Sequence, residues 1–415
     1  MITAVLTSDN HLGANYAKFR PDRLEQRRLR LQQAFKAVVD AAIARKVDIF
    51  LQAGDLFDRP DPRNMERLFV AGQLARLREA GIPVFAIAGN HDSPRGTGYG
   101  GGIVPQEEAD MLGGLRLFRS TSQFDHAEID IRGERIRISG MSTDFNLPAG
   151  ECPLQGVELR RPAPGTAQIV LLHYGVHGWM PEFGDEHQEP ILSLPGLERL
   201  EADAICVGHL HQRLEKQLDN RGLLLNPGST ERMNFGEEGL QCGYSLLTVD
   251  KGTVSSTHVS LQTQRMHTLK IELPTNLAEQ VRLGTNIGVA EALTADYRQQ
   301  VRDISAHDQL LRVHISGQMP RDIFREFDLM ELQRLGSEAN FHCQIETERI
   351  TVFDPDNHLP VGYGVSFDVA QELESNAKAL SEQHNGDAAR QETYALALQQ
   401  VMATFDRLTR GGSPR

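Results

Sequence analysis

The chain has 415 residues, 40% hydrophobic, 24% charged and 6% aromatic, enough for a sizeable core spread over about two to three domains. Its 37 glycines and 19 prolines argue against a fibrous or largely disordered chain. A formal net charge of −13 disfavours a basic-arm nucleic-acid binder, yet leaves room for an enzyme that meets phosphates through bound cations.

The opening run Met1–Asp9 has no basic n-region and is too short for a signal peptide. No stretch approaches the roughly 18 apolar residues of a membrane span. Cys152, Cys206, Cys242 and Cys343 form no CxxC pair, so neither a disulfide framework nor a thiolate zinc site is expected. A reducing cytoplasm is the natural compartment.

In the first half, short apolar runs alternate with helical patterns. Strands are expected at Ile2–Ser8, Val47–Ala53, Ile82–Ala88, Arg135–Gly140, Gln168–His173 and Ala202–Val207. Between the first two, Leu31, Phe35, Val38 and Ala42 recur at helical spacing, and Asp22 with Glu25 reads as a capping box. Between the next two, Asn64 is placed to cap a helix carrying Leu68, Leu74 and Leu77, which Gly81 and Pro83 stop. Strands alternating with helices predict an α/β layer architecture.

After residue 265 the texture changes. Leu269–Leu273 and Leu311–Ile315 alternate with period two, followed by a helical stretch at Arg321–Arg334 and a strand at Gln344–Phe353. These suggest a small α+β domain over 265–360, behind a first domain over 1–264. In the remaining 361–415, the polar run Glu382–Asp387 precedes a helix over Gln391–Arg410. That helix carries Tyr394, Leu398, Val401, Phe405 and Leu408 at 4-3-4-3 spacing.

Five short motifs sit at or just after the expected strand ends, where α/β sheets place ligands. They are Asp9-x-His11, Gly54-Asp55-Leu56-Phe57-Asp58, Gly89-Asn90-His91-Asp92, His173 and Gly208-His209-Leu210-His211. Singly, each has a bland reading as a turn, a cap or a surface histidine. Together, in one fixed order, they point to chemistry. Carboxylates, an amide oxygen and imidazoles make a mixed O/N set suited to Mn²⁺, Fe²⁺ or Zn²⁺. One carboxylate shared between two ions holds them roughly 3.5–4 Å apart, the spacing of two-metal hydrolysis sites.

This set resembles the calcineurin-like metallophosphoesterase superfamily. Ser8–Gly13, Gly54–Asp58, Gly89–Pro94, Asn226–Arg232 and Phe235–Glu238 are similar to the forms found in the double-strand-break repair nucleases of the bacterial SbcD and Mre type. The resemblance covers residues 1–250. It implies a two-layered β-sandwich metallophosphoesterase core flanked by helices, with a smaller α+β capping domain and C-terminal helices. It also implies that Asp9, His11, Asp55 and His211 hold one ion, and Asp55, Asn90, His173 and His209 the second, with Mn²⁺ the expected metal. His91 would then face the scissile phosphate as general acid or charge stabiliser, oriented by Asp58, with Asp92 a competing candidate for that orienting role. No ligand position is missing or replaced.

Other signals stay open. Arg20, Arg23, Arg27, Arg28 and Arg30, with Arg59, Arg63 and Arg95, would serve either as phosphate contacts or as a solvated face. Gly96–Gly102 reads as a mobile loop rather than a backbone approach to substrate. His177 and His187 read as surface histidines, and Trp179 and Phe183 as buried rather than base-stacking. The C-terminal stripe alone fits intramolecular packing; the resemblance implies docking on an SbcC-like coiled-coil ATPase. The resulting expectation is a DNA nuclease, a 3′→5′ exonuclease with endonuclease activity. It would be homodimeric, cytoplasmic and the nuclease subunit of an end-processing complex. Its rivals are a phosphomonoesterase or cyclic-nucleotide phosphodiesterase of the same superfamily, and a scaffold for DNA ends.

Overall fold

The computed structural model describes residues 1–16, 19–94, 104–144, 146–179, 189–277, 279–280, 286–354 and 357–360. Arg95, Gly96–Gly102, Phe183, His187 and the 361–415 segment with its apolar stripe lie outside them. The described chain divides into two compact units. The first comprises Met1–Thr268 with Ala306–Leu311 and Asn340–His342; the second comprises Leu269–Ser305, Arg312–Ala339 and the described residues from Cys343 onward.

The first unit opens with β1 (Ile2–Thr7), α1 (Pro21–Arg45), β2 (Ile49–Ala53), α2 (Asn64–Glu79), β3 (Val84–Ile87), α3 (Gln106–Met111) and β4 (Arg116–Phe118). It continues with β5 (Asp125–Ile131), β6 (Glu134–Gly140), β7 (Ala167–His173), β8 (Gly175–His177), β9 (Ile191–Ser193), α4 (Leu194–Glu198) and β10 (Ala204–Gly208). It closes with β11 (Leu214–Gln217), β12 (Leu223–Asn226), β13 (Gly243–Asp250) and β14 (Thr253–Ser260). One six-stranded sheet runs β14-β13-β1-β2-β3-β4 and the other β11-β12-β10-β7-β6-β5. Strands β1 to β4 are mutually parallel, as are β6, β7, β10 and β12.

Strand alternation explains why the two sheets stack and still carry helices. Ala4, Leu6, Ile49, Leu51, Ile138, Ile169 and Leu171 point into one core between the sheets. Their neighbours Val5 and Phe50 point outward, onto Leu31, Phe35 and Val38 of α1 and Leu74 and Leu77 of α2. On the other sheet, Val170, Leu172 and Val207 face a third cluster with Leu197 of α4. Strands buried on both faces read as continuous apolar runs, which is why β1, β2 and β7 stand out in the sequence. The expected helix-flanked sandwich is the fold observed.

Differences lie at element ends. α1 takes Arg20 as its cap with Pro21 in its first turn, and no side chain caps it, because proline's missing N–H needs no partner there. Asp22 pairs with Arg20, and Glu25 with Arg28 and Arg63, so the expected capping box is absent. α2 likewise begins at Asn64 with Arg63 as its uncapped flank. The hairpin β13–β14 was not anticipated; it turns at Lys251 and Gly252, whose φ values are +48° and +81°.

The chain from β15 (Met266–Glu272) runs through α5 (Asn286–Ile304), β16 (Leu310–Pro320), α6 (Arg321–Glu326), α7 (Leu329–Ala339), β17 (His342–Asp354) and β18 (Asn357–Pro360). Its sheet order is β15-β16-β17-β18. The single helix expected at Arg321–Arg334 is two. Phe327 is extended and buried against Tyr297, and the Asp328 carboxylate accepts from Glu331 N at 2.8 Å, starting α7 afresh. α5, also unanticipated, buries Leu293, Tyr297 and Val301.

The arginine run of α1 divides by role. Arg27 is fully buried, with Nη1 3.4 Å from Glu231 Oε2 and 3.1 Å from Gln264 Oε1, and it also donates to the Arg232 carbonyl. Arg28 Nε donates to the Ala14 carbonyl at 3.0 Å. Arg27 therefore pins α1 to the chain around 231 and 264. Removing one partner of a buried ion pair strands the other, so Arg27→Met should cost about 3–5 kcal/mol in denaturant unfolding. A loss below about 1 kcal/mol would show that Glu231 finds another partner.

Candidate metal centre

The C-terminal ends of five parallel strands deliver the centre. Asp9 and His11 follow β1, Asp55 and Asp58 follow β2, and Asn90 and His91 follow β3. His173 ends β7, and His209 and His211 follow β10. The loops after β1 and β2 are zipped together. Asn10 N and His11 N donate to the Asp55 carbonyl at 2.8 and 3.1 Å, and Asp58 N donates to the Leu12 carbonyl at 3.1 Å. The Gln52 carboxamide donates to Gly54 O at 2.8 Å and accepts from Gly54 N at 3.1 Å. Asp9, His11, Asp55 and His209 all adopt positive φ, from +45° to +103°; such strain concentrates at functional sites.

Glycines precede three of these residues for one steric reason. A Cβ at Gly54 would lie 2.4 Å from His173 Nδ1, one at Gly89 2.3 Å from Asp55 Oδ1, and one at Gly208 2.2 Å from the Ala53 carbonyl. The strand ends close so tightly around His173 and Asp55 that only hydrogen fits.

Two groups of donors result. In the first, His11 Nε2 and His211 Nε2 face each other at 3.0 Å, with the Asp9 carboxylate grouped beside them. In the second, Asn90 Oδ1 lies 3.0 Å from His173 Nε2 and 3.2 Å from His209 Nδ1. Asp55 Oδ2 stands between the groups, 3.2 Å from His173 Nε2 and 3.7 Å from His11 Nε2. Its other oxygen is taken by His91 N–H at 2.8 Å, which fixes the plane of the carboxylate. His209 N–H donates to both oxygens of Asp9, at 3.1 and 3.2 Å, and Ser8 Oγ–H donates to Asp9 Oδ2 as well.

The electrostatics are those of buried acceptors in need of positive charge. Burial opposes ionisation of Asp55, but the imidazoles of His173, His11 and His91 outweigh it and hold its carboxyl well below the usual range. Burial likewise disfavours charge on His11 and His173. Asp58, Asp55 and Asp9 reverse that for His11, and Asp55 and Asp9 for His173, raising both to about 9. Carboxylate, amide and imidazole donors converging from both sheets, with no thiolate among them, fit a hard or borderline divalent cation.

All nine anticipated residues meet here, with one change of detail. The Asp58 carboxylate lies nearer His11 Nδ1, at 3.3 Å, than His91 Nδ1, at 3.8 Å. His91 Nδ1 instead lies 3.1 Å from the Asp58 backbone carbonyl. Asp92, the competing candidate, is fully buried and accepts from Leu56 N, Phe57 N and Gly89 N at 3.2, 2.8 and 3.1 Å. Burial and the nearby Asp55 charge push its carboxyl up to about 6. It ties the loops after β2 and β3 together. Trp179 packs on the outer-face core of the second sheet and His177 is exposed. Gln52, Ser8 and Glu237, whose Oε1 lies 3.0 Å from His211 Nδ1, were not assigned roles from sequence. The Phe235–Glu238 motif was the available signal for the last.

Fold and site together define a phosphoesterase: the model of the calcineurin-like phosphoesterases matches residues 2–213, and the chain belongs to that family, one of metal-dependent hydrolases. Within it, the chain is similar to the DNA double-strand break repair protein Mre11 of Sulfolobus acidocaldarius, 27% identical over 335 residues, covering 79% of this chain and 78% of that one. Its likeness to the Mre11 protein of Sulfurisphaera tokodaii is 30% over 284 residues, 66% of each chain. The metallophosphoesterase YhaO of Bacillus subtilis is 30% identical over 222 residues, 52% of this chain and 49% of its own.

The crowding around His173 yields a test. Gly208→Ala should displace either the Ala53 carbonyl or the His173 ring, costing about 1–3 kcal/mol and weakening Mn²⁺ binding. Thermal unfolding with and without Mn²⁺ reads both effects, and an unchanged melting curve would contradict the packing described.

Proposed function

We propose that the chain is a two-metal-dependent DNA nuclease, with Asp9, His11, Asp55 and His211 holding one divalent ion and Asp55, Asn90, His173 and His209 the other. The observation that carries the reading is Asp55 Oδ2, which faces donors of both groups. When bound, the ions, Mn²⁺ foremost, would lower the pKa of an attacking water and offset charge on the phosphoryl oxygens. The protein's own contribution is positional. His91 is 41% exposed, the most accessible imidazole of the centre. With Nδ1–H donated to the Asp58 carbonyl, the doubly protonated ring would present Nε2–H to the leaving oxygen.

DNA is the proposed substrate because the Mre11 relatives carry double-strand break repair in their names. Cleavage is proposed to be 3′→5′ exonucleolytic with endonuclease activity, in the cytoplasm. An SbcC-like ATPase is the proposed partner, docked through the 391–410 stripe. A homodimer is proposed on the resemblance to the repair nucleases alone. A phosphomonoesterase would use the same centre, but has no need of the second unit that follows Thr268.

Hydrolysis by the purified chain with Mn²⁺, with and without chelator, on linear DNA beside a small phosphomonoester separates these readings. Chelator-sensitive nucleotide release with little monoester cleavage is expected; fast monoester cleavage with intact DNA would overturn the nuclease reading. His91→Asn should keep both ions and lose about 10²–10⁴-fold in turnover. Loss of Mn²⁺ binding in that variant would make His91 a ligand instead.

A further inference from the structure

We infer that Glu237 is a positioning residue for the metal centre: its carboxylate takes the Nδ1–H of His211, which leaves Nε2 as the only nitrogen able to ligate. The inference rests on the reading of His211 as a ligand and deepens it. A neutral imidazole has one N–H and one lone pair, and whichever nitrogen meets an acceptor keeps the proton. Glu237 Oε1 lies 3.0 Å from His211 Nδ1, while His211 Nε2 faces the Nε2 of His11 at 3.0 Å.

The carboxylate is held independently of His211. Oε2 accepts from Met233 N at 2.7 Å, and Oε1 also accepts from Asn234 Nδ2 at 2.6 Å. Asn234 closes the same turn: its carbonyl accepts from Glu237 N at 3.0 Å and its Oδ1 from Gly236 N at 2.8 Å. The Glu237 side chain is only 10% exposed, so water competes little for the contact. A carboxylate set in a closed turn is a fixed acceptor, and the imidazole must orient to it.

His173 offers the contrast. Its Nδ1 meets the Ala53 carbonyl at 2.8 Å, a neutral acceptor. The two imidazoles are therefore backed differently: His211 by a full negative charge, His173 by a backbone dipole. A carboxylate behind a ligating histidine fixes its tautomer and raises its basicity, and losing such a partner typically costs 10–100-fold in metal affinity. Glu238, the next residue, points elsewhere and accepts from Thr268 Oγ1 at 2.6 Å, which supplies a matched control in the same turn.

The test is Mn²⁺ titration of the metal-free full-length protein by calorimetry, with ¹⁵N spectra of the histidine rings. Glu237→Gln should weaken one of the two Mn²⁺ sites by about 10–100-fold, and Glu238→Gln neither. In the metal-free wild type the His211 proton should sit on Nδ1; in Glu237→Gln it should distribute over both nitrogens. Wild-type Mn²⁺ affinity in Glu237→Gln, when His211→Ala has lost a site, overturns the positioning role and leaves the ligand reading standing. Wild-type affinity in His211→Ala overturns the ligand reading itself. Should Glu237→Gln fail to fold, the wild-type ring spectrum decides alone, since a proton on Nε2 would refute the inference.

Discussion

A carboxylate buried at the join of two sheets governs the rest of the molecule. Asp55 is 2% exposed, and an ionised carboxylate withdrawn from water without compensation is among the costliest groups a fold can bury. Here one oxygen is met by the His91 N–H, and the other by imidazoles that arrive from β1 and β7. Loop conformations that would be unfavourable elsewhere follow from this need. The left-handed backbone at Asp9, His11 and Asp55 turns each strand end toward a common point, and the Gln52 carboxamide and Asp92 carboxylate satisfy backbone groups those turns leave open.

The sandwich makes such convergence feasible. Parallel strands put all their C-terminal ends on one edge, and two stacked sheets bring two such edges together. Asp9 then touches His209, and His11 meets His211, across the gap between sheets. The inner core of Ala4, Leu51, Ile169 and Leu171 sets the spacing. Substitutions deep in that core would reach the centre by changing sheet separation, long before they reached any ligand.

Much of this was legible in the sequence because its causes are local. Strands buried on both faces must be apolar throughout, so β1, β2, β7 and β10 announce themselves. The glycine before Asp55, Asn90 and His209 marks a backbone approach that tolerates no side chain. What was not legible depends on partners distant along the chain. Asp22 and Glu25 have the spacing of a capping box, but arginines engage both. Arg27 sits in a run that reads as a charged surface, yet Glu231 and Gln264 draw it fully inside. Asp58 lies three residues after Asp55, as an orienting carboxylate for His91 should, but only its backbone carbonyl comes within hydrogen-bond reach of that ring. No spacing rule distinguishes those outcomes.

The facing pair His11 and His211 joins residues 200 positions apart. Loop-closure entropy delays such long-range contacts until much of the sandwich has formed. During synthesis, the site therefore lacks a donor until the turn after β10 has emerged and docked. A chain interrupted before that turn would carry Asp9, Asp55, Asn90 and His173 yet lack both His209 and His211. A partly made chain thus holds most of the donors without a complete centre.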